Sequence, residues 1–429
     1  MQHGALPGFR DFYPQEFAER TYLMRVWRDV ARRFAFVEYD GPPLVQLELY
    51  TRKSGEEIVG QLYNFTDKGD REIALRPEMT PTFARMVGAR VQALRKPVRW
   101  FSIPQLFRYE RQQKGRLLEH FQFNVAIVGE ADVTADAELL AVAISVMREC
   151  RLTSEDVVAR ISDRRLLNTF LDALGPIEIR EAAYASLDKI RRESHATLAD
   201  RLTQAGLAEG TAGKILSLGE LASTADLHAW AASHNCADQV AEHIERLERS
   251  LTLLDAHDAG DWVRLDLSIV RGLAYYTGIV FELFDRKGKF RAICGGGRYD
   301  TLLADLGGED LPALGFGMGD VVLGELLRAR GLLDAEPLAL DYWVATEDND
   351  YIADVVRVAT ALRRTGASVE YSLRRQPLAR QLRTASTAGA RAVVILKRDG
   401  WPGGQLILKR LDEGSETSLS LTQLVEASP

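Results

Sequence analysis

The segment FRYERQQKGRLLEHFQ, residues 107–122, decides how the rest of the chain is arranged. Two apolar-rich runs flank it, Val98 to Phe107 and Phe121 to Val128, each with enough aromatic and β-branched residues to be a strand. The whole therefore reads as a long hairpin with a charged tip. Between Arg108 and Arg116 the tip carries Arg108, Arg111, Lys114 and Arg116 against one acid, Glu110, with Gly115 inside the turn. An isolated basic loop is ordinarily a solvated surface. Here Arg108, Glu110 and Gln122 fall at the strand ends, and alternation puts Arg108 and Glu110 on one face. A guanidinium grips phosphate with two parallel hydrogen bonds, so that face can hold a phosphate while the tip meets a second polyanion.

At 429 residues the chain is too long for one core and suggests two or three domains. Its 46% hydrophobic and 27% charged content is that of an ordinary soluble protein. A net charge of −7 exerts no global pull on nucleic acid, so such binding must come from local basic patches. Cys150, Cys236 and Cys294 lack paired spacing, which fits a reducing compartment and offers no disulfide framework or zinc site. The opening MQHGALPGFRDFYPQE has no basic or apolar leader pattern, and no apolar run is long enough for a bilayer. The expectation is a cytoplasmic protein without membrane association.

Outward from the hairpin, Glu16 to Phe36 reads as a helix ending at FVEYDGPPL, where Pro42 and Pro43 exclude a central paired strand. EIALRPEMTP, residues 72–81, is a short strand running into a turn with Arg76, Glu78 and Thr80. A carboxylate beside a hydroxyl can hold an ammonium group, but on this fragment alone Thr80 and Pro81 read better as the start of a helix over Thr82 to Leu94. Asp132 to Cys150 reads as a helix opened by Thr134 or Asp136, and about 163–256 as a helical module. Gly213-Lys214 fails the phosphate-loop pattern at Ala208 and Ile215, and the seven histidines form no metal-ligand spacing.

The β pattern resumes at Val263 with LSIVRGLAYYTGIVFELF, ICGGGRYDTLL and LGFGMGDVVLGELL. Arg271, flanked by Val270 and Leu273, needs a partner, which a structural salt bridge or a ligand can supply. Gly315, Gly317 and Gly319 fall on one strand face by period 2 and leave it bare for a flat group. From about Leu338 the pattern is that of a small α/β domain, with Leu332 to Leu340 as linker. Between Arg357 and Arg398 it carries ten basic residues and one acid, Glu370, which reads as a polyanion footprint or as scattered solvated charge.

Four motifs occur in order: FRYE at 107–110, VRGLAYYTGIVFE at 270–282, GGGRYD at 295–300 and GFGMG at 315–319. Together they resemble the histidyl-tRNA synthetases, a family of class II aminoacyl-tRNA synthetases. The likeness covers nearly the whole chain, including GFRDFYP near the start, a proline-marked first motif around Pro42, and RPEMT at 76–80. FRxE or GxGxG alone says little; VRGLAYY with GGGRYD is the histidine-specific signature.

The resemblance implies an α+β fold. A class II core of mainly antiparallel sheet flanked by helices would span 1–337, with a helical insertion at about 163–256, and an α/β anticodon-binding domain would span 338–429. It implies activation of L-histidine with ATP and transfer to the 3′ end of tRNA(His) by a homodimer. By matching position, Arg108 resembles the arginine on the ATP α-phosphate, Glu110 the acid at the adenine end, and Arg116 the loop arginine of the outer phosphates. A ring at His120 or Phe121 would face adenine, with the strand carrying Gly317 and Gly319 on its other side. Glu78 and Thr80 resemble the pair that recognises the histidine ammonium. Gln122, Tyr275 and Tyr276, with Arg108 and Arg271, would complete the amino-acid pocket, and Arg271 is similar to the catalytic arginine that works with Arg108. Gln113, Lys114, Arg374 and Arg375 are the implied tRNA contacts. Mg²⁺ would accompany ATP, and no tightly bound protein-ligated metal is expected.

Three positions depart from the family pattern. Val322 stands where the third motif usually has an arginine, and a branch resembling plant organellar enzymes also reads GDxV there. Ala126 stands where an acid commonly meets the imidazole, and Leu118 replaces a second loop arginine. The rival is the regulatory paralogue of ATP phosphoribosyltransferase, which shares the core but generally lacks the C-terminal domain and an intact histidine signature. Both are present here.

Overall fold

Residue parity along the strands organises the first of two structural units. The computed structural model describes residues 4–54, 60–109, 117–175, 177–270, 276–305, 309–333 and 340–427, divided between units 1–334 and 335–429. The first unit contains β1 (Val37–Glu38), β2 (Leu44–Gln46), β3 (Asn64–Thr66), β4 (Glu72–Leu75), β5 (Val98–Ser102), β6 (Gln105–Phe107), β7 (Glu119–Val128), β8 (Val157–Asp163), β9 (Val263–Leu265), β10 (Ile279–Asp285), β11 (Cys294–Arg298) and β12 (Ala313–Gly319). A nine-stranded sheet runs β1-β5-β7-β12-β11-β10-β8-β9, with β6 paired to β7, while β2, β4 and β3 form a separate small sheet. Among the described pairs of the large sheet only β1 with β5 and β8 with β9 are parallel. The fold is thus α+β, mainly antiparallel and flanked by helices.

One face of the large sheet is apolar. Phe123, Val125 and Ile127 of β7 and Leu314, Phe316 and Met318 of β12 share a core with the helices Pro14–Arg33 and Val133–Glu149. Trp27 is fully buried and stacks on Phe123 at 5.7 Å with 9° between the planes. Arg298 of GGGRYD points into this layer. It is 1% exposed and holds Asp136 with Nε at 3.1 Å from both carboxylate oxygens, tying β11 to the helix Val133–Glu149. Removing one member of a buried pair leaves an uncompensated charge and costs about 3–5 kcal/mol.

Local chemistry accounts for the differences from the sequence reading. The run Val98 to Phe107 splits into β5 and β6 around Pro104, which has no N–H for the ladder. The first helix starts at Pro14, a residue suited to the first turn, and ends at Arg33, just before Ala35 turns left-handed with φ 57°. The helix expected over Thr82 to Leu94 spans Thr80–Gly88. Asp132, rather than Thr134 or Asp136, caps the helix Val133–Glu149 by accepting from the Thr134 N–H. Among the described residues of 164–256 there are six α-helices.

In the second unit, β13 (Leu340–Thr346), β14 (Val369–Tyr371), β15 (Ala390–Leu396), β16 (Gln405–Arg410) and β17 (Glu416–Ser420) form a sheet in the order β14-β13-β15-β16-β17. Its first three strands are parallel and the last two antiparallel. Parity again sorts the residues: Val344, Val394 and Leu396 pack with the helix Ile352–Arg363, while Trp343, Ala345 and Val393 pack with the helix Leu378–Thr387.

Candidate functional site

The large sheet's other face carries the polar side chains and the glycines. Gln122, Asn124 and Ala126 of β7, Glu282 of β10, Gly295 of β11 and Gly315 and Gly317 of β12 line a cavity of about 330 Å³. Its far wall is built by Glu78, Met79 and Thr80, with Tyr39, Tyr276 and Tyr299 also contributing. The glycines make room for these side chains. A Cβ at Gly315 would lie 2.6 Å from the Tyr299 hydroxyl and 2.7 Å from the Val125 carbonyl, and one at Gly317 would lie 2.8 Å from the Gln122 amide.

RPEMT is held in place by its own arginine. Arg76 is 4% exposed and donates to the Gln105 carbonyl (3.1 Å), Asp40 (2.7 Å) and the Gly41 carbonyl (2.6 Å). This locks the proline-marked segment and β6 beside Glu78, which is 8% exposed. Thr80 both opens its helix and lines the cavity. Burial pushes the Tyr39, Tyr276 and Tyr299 phenols well above their ordinary range, with Glu78 and Glu282 reinforcing the shift at Tyr276. All three stay protonated at neutral pH and can donate to a bound ligand.

A second cavity, about 320 Å³, adjoins the first and shares Arg108, Gln122, Gly295 and Gly317 with it. His120, Arg291, Gly319 and Val322 complete its main walls. The Arg108 backbone N–H donates to the Leu118 carbonyl at 2.9 Å and its Nε to the Pro77 carbonyl at 3.0 Å. Among the described residues its two terminal nitrogens have no partner, leaving the fork available at the junction of the cavities. The start of β7 is clamped from outside: Leu118 donates to the Gly8 carbonyl, and Arg10 bridges Glu119 (2.6 Å) and Asp320 (2.9 Å). Asp320 also accepts from the Phe121 N–H at 2.9 Å. Burial raises its carboxyl above the usual range, and Arg10 pulls it back.

The structure brings together Glu78, Thr80, Arg108, Gln122, Tyr276, Gly317 and Gly319 from the sequence-derived set. Glu110, Gln113, Lys114, Arg116, Arg271 and Tyr275 lie outside the described residues. Phe121 requires a correction as an ATP contact. Strand alternation turns it to the opposite face, where it meets Phe12 at 6.1 Å and the Arg20 guanidinium at 4.8 Å, while His120 faces the cavity. Sequence reasoning missed Tyr39, Asn124, Glu282, Arg291 and Tyr299. Glu282 had a signal, a lone acid between Phe281 and Leu283 in an apolar strand. In the second unit Arg374 and Arg375 are exposed and, with Thr346 and Gln381, line a small hollow beyond the carboxyl ends of β13 and β14. Ligands favour that end of parallel strands.

Comparison with known proteins places this geometry. The family profile described as histidyl-tRNA synthetase matches residues 8–319. The histidine–tRNA ligase of Opitutus terrae is 42% identical over 98% of this chain and 96% of its own length. The chloroplastic/mitochondrial histidine–tRNA ligase of Arabidopsis thaliana is 38% identical, covering 97% of this chain and 85% of that protein. The crystal structure of histidyl-tRNA synthetase from Nostoc sp. PCC 7120 superposes with a TM-score of 0.85 over 99% of this chain and 98% of that one, at 23% identity, a likeness of fold.

Proposed function

Because the chain belongs to the histidyl-tRNA synthetase family, we infer that it activates L-histidine with ATP and transfers the histidyl group to the 3′ end of tRNA(His). The observation that carries the reading is the pair of adjoining cavities meeting at Arg108. The first takes histidine, with Glu78, Thr80 and Gln122 at its ammonium group. Ala126 leaves room for the imidazole, and Glu282, Tyr276 and Tyr299 supply the acceptor and donors facing it. The second takes ATP, its adenine between His120 and the bare strand at Gly317 and Gly319.

A histidine carboxylate oxygen attacks the α-phosphorus, a P–O bond forms, and the bond to pyrophosphate breaks. The attack brings negative charge against negative charge, so positioning and neutralisation supply most of the catalysis. Arg108 sits where the two substrates meet, and Arg271 is its partner on the α-phosphate. Next, the 3′-hydroxyl of the terminal adenosine attacks the adenylate carbonyl and AMP departs. Mg²⁺ bound with the nucleotide would offset the charge of the departing pyrophosphate.

Arg374 and Arg375 contact the anticodon arm, and Gln113 and Lys114 the acceptor end. The protein acts as a homodimer through the surface of the small sheet, where Leu44 and Phe65 are exposed. No described helix is long and apolar enough to cross a membrane, and the work of charging tRNA suits the cytoplasm. The regulatory-paralogue reading is disfavoured by ligase relatives along the full length and by the presence of unit 335–429. Amino-acid-dependent pyrophosphate exchange with all twenty amino acids tests the assignment. Exchange with histidine alone is expected; none at all, or a response to a different amino acid, refutes it.

A further inference from the structure

Val322 leaves one wall of the nucleotide cavity without charge. It is the third residue of the helix Asp320–Arg330, 9% exposed, and part of the apolar core. No cation reaches the cavity from this first turn, which reads Asp320, Val321, Val322, Leu323; its one acid, Asp320, is held by Arg10 and the Phe121 N–H.

The connection between β10 and β11 reads DRKGKFRAIC at 285–294 and holds Arg286, Lys287, Lys289 and Arg291. Arg286 is turned elsewhere and donates to the carbonyls of Ser154 and Asp261. Among these four cations only Arg291 lines the cavity. Antiparallel pairing sets Cys294 opposite Met318 and Gly295 opposite Gly317. The connection that enters β11 and the helix that leaves β12 therefore start at the same edge of the paired strands, and Arg291 lies on that connection three residues before Cys294. Both valines and Arg291 border the one cavity that also contains Arg108. Cations from two different strand connections therefore flank a space whose helical wall is apolar.

We propose that Arg291 binds the outer phosphates of ATP and provides the positive charge that Val322 does not. The triphosphate clamp is relocated from the helix to the neighbouring strand connection, and the site is not impaired by the valine. This rests on the reading that the second cavity takes ATP. Arginine suits the task because its planar fork can engage two phosphate oxygens at once and stays charged at every physiological pH. The side chain is exposed, so a phosphate can reach it from solvent.

The test compares two ligands on one variant. Arg291→Ala is assayed for the ATP KM in histidine-dependent pyrophosphate exchange, and by calorimetry for binding of a non-hydrolysable sulfamoyl analogue of histidyl-adenylate. The analogue fills the amino-acid and adenosine sites but has no outer phosphates. A charge-assisted hydrogen bond to phosphate is worth about a ten- to hundredfold change in the ATP KM. The analogue affinity should stay within about twofold of wild type, which also establishes that the variant is folded. Arg291→Lys should recover part of the ATP affinity, because it keeps the charge and loses the fork. An unchanged ATP KM in Arg291→Ala overturns the proposal, as does equal weakening of ATP and the analogue, which would make Arg291 a structural support. A wild-type protein with no histidine-dependent exchange would overturn the parent reading as well, a result distinct from either.

Discussion

Gly317→Ala asks whether the bare strand exists to make room for Gln122. The three atoms nearest an added Cβ, at 2.8 to 2.9 Å, all belong to the Gln122 amide. That flexible side chain can yield by rotation at about 0.5–1.5 kcal/mol, so the fold survives with a small loss of stability. Gly315→Ala is the contrast, since its Cβ would meet the Val125 backbone carbonyl at 2.7 Å, and overpacking against an immobile strand costs about 1–3 kcal/mol. On the proposed placing of histidine, the displaced amide in Gly317→Ala would no longer reach the ammonium group. Losing a hydrogen bond to a charged group is worth about 1.5–3 kcal/mol, or roughly ten- to hundredfold in the histidine KM. The assay is pyrophosphate exchange with varied histidine at saturating ATP, on Gly317→Ala, Gln122→Ala and the double variant. In histidine KM at saturating ATP the double variant should be no worse than Gln122→Ala, because the Cβ then has no amide to displace. Additive losses would refute the reasoning, and so would a normal histidine KM in Gly317→Ala.

Arg271→Ala should depress the rate of adenylate formation far more than histidine binding, since a contact to the α-phosphate strengthens as charge develops; near-normal exchange in the folded variant would sink the assignment. Ending the chain at residue 334 should leave exchange detectable while the Michaelis constant for tRNA rises sharply, and an unchanged constant would remove the second unit from tRNA binding. Hydrogen bonds from Thr134 hold the Asp132 carboxyl at about 2, below its usual 3.8. The depressed value means that its stabilisation is complete above the unfolded value and is lost as pH falls through about 2. Urea unfolding should therefore show wild type and Asp132→Asn differing by a constant amount above pH ~5 and converging towards pH ~2. Asp132 is 39% exposed, so screening keeps that difference below about 1 kcal/mol. A pH-independent difference would count against the cap.

Period-2 patterning made the sheet readable, because β7 and β12 alternate large apolar residues with polar or absent side chains. The same patterning left His120 and Phe121 undecided. Alternation tells which residues share a face but not which face looks inward, and the answer came from the docking of Phe12 and Arg20 against Phe121. The short strand β8 went unread because DVVARISD lies between two helical stretches and its partners β9 and β10 begin about a hundred residues later. The site residues that were legible lie in compact motifs such as RPEMT. Arg291 was not, because its place at the cavity depends on how the connection into β11 folds beside the helix after β12, and nothing local distinguishes it from Lys287 or Lys289.

The clamp of Arg10 on Glu119 and Asp320 ties the first residues of the chain to some of the last of the catalytic unit, 310 positions away. During synthesis Arg10 emerges early, and its second partner appears only after a further 310 residues, roughly 15–60 s at ordinary elongation rates. Until then Phe121 also lacks the Asp320 acceptor for its N–H, so the hairpin that carries Arg108 waits for the chain's own later product to be pinned. Fastening of the strand that carries Gln122 is thereby timed to completion of the unit. A nascent chain arrested before residue 320 has the hairpin sequence but not its fastening, and protease sensitivity of such arrested chains around residues 107–122 would report the moment at which the fastening closes.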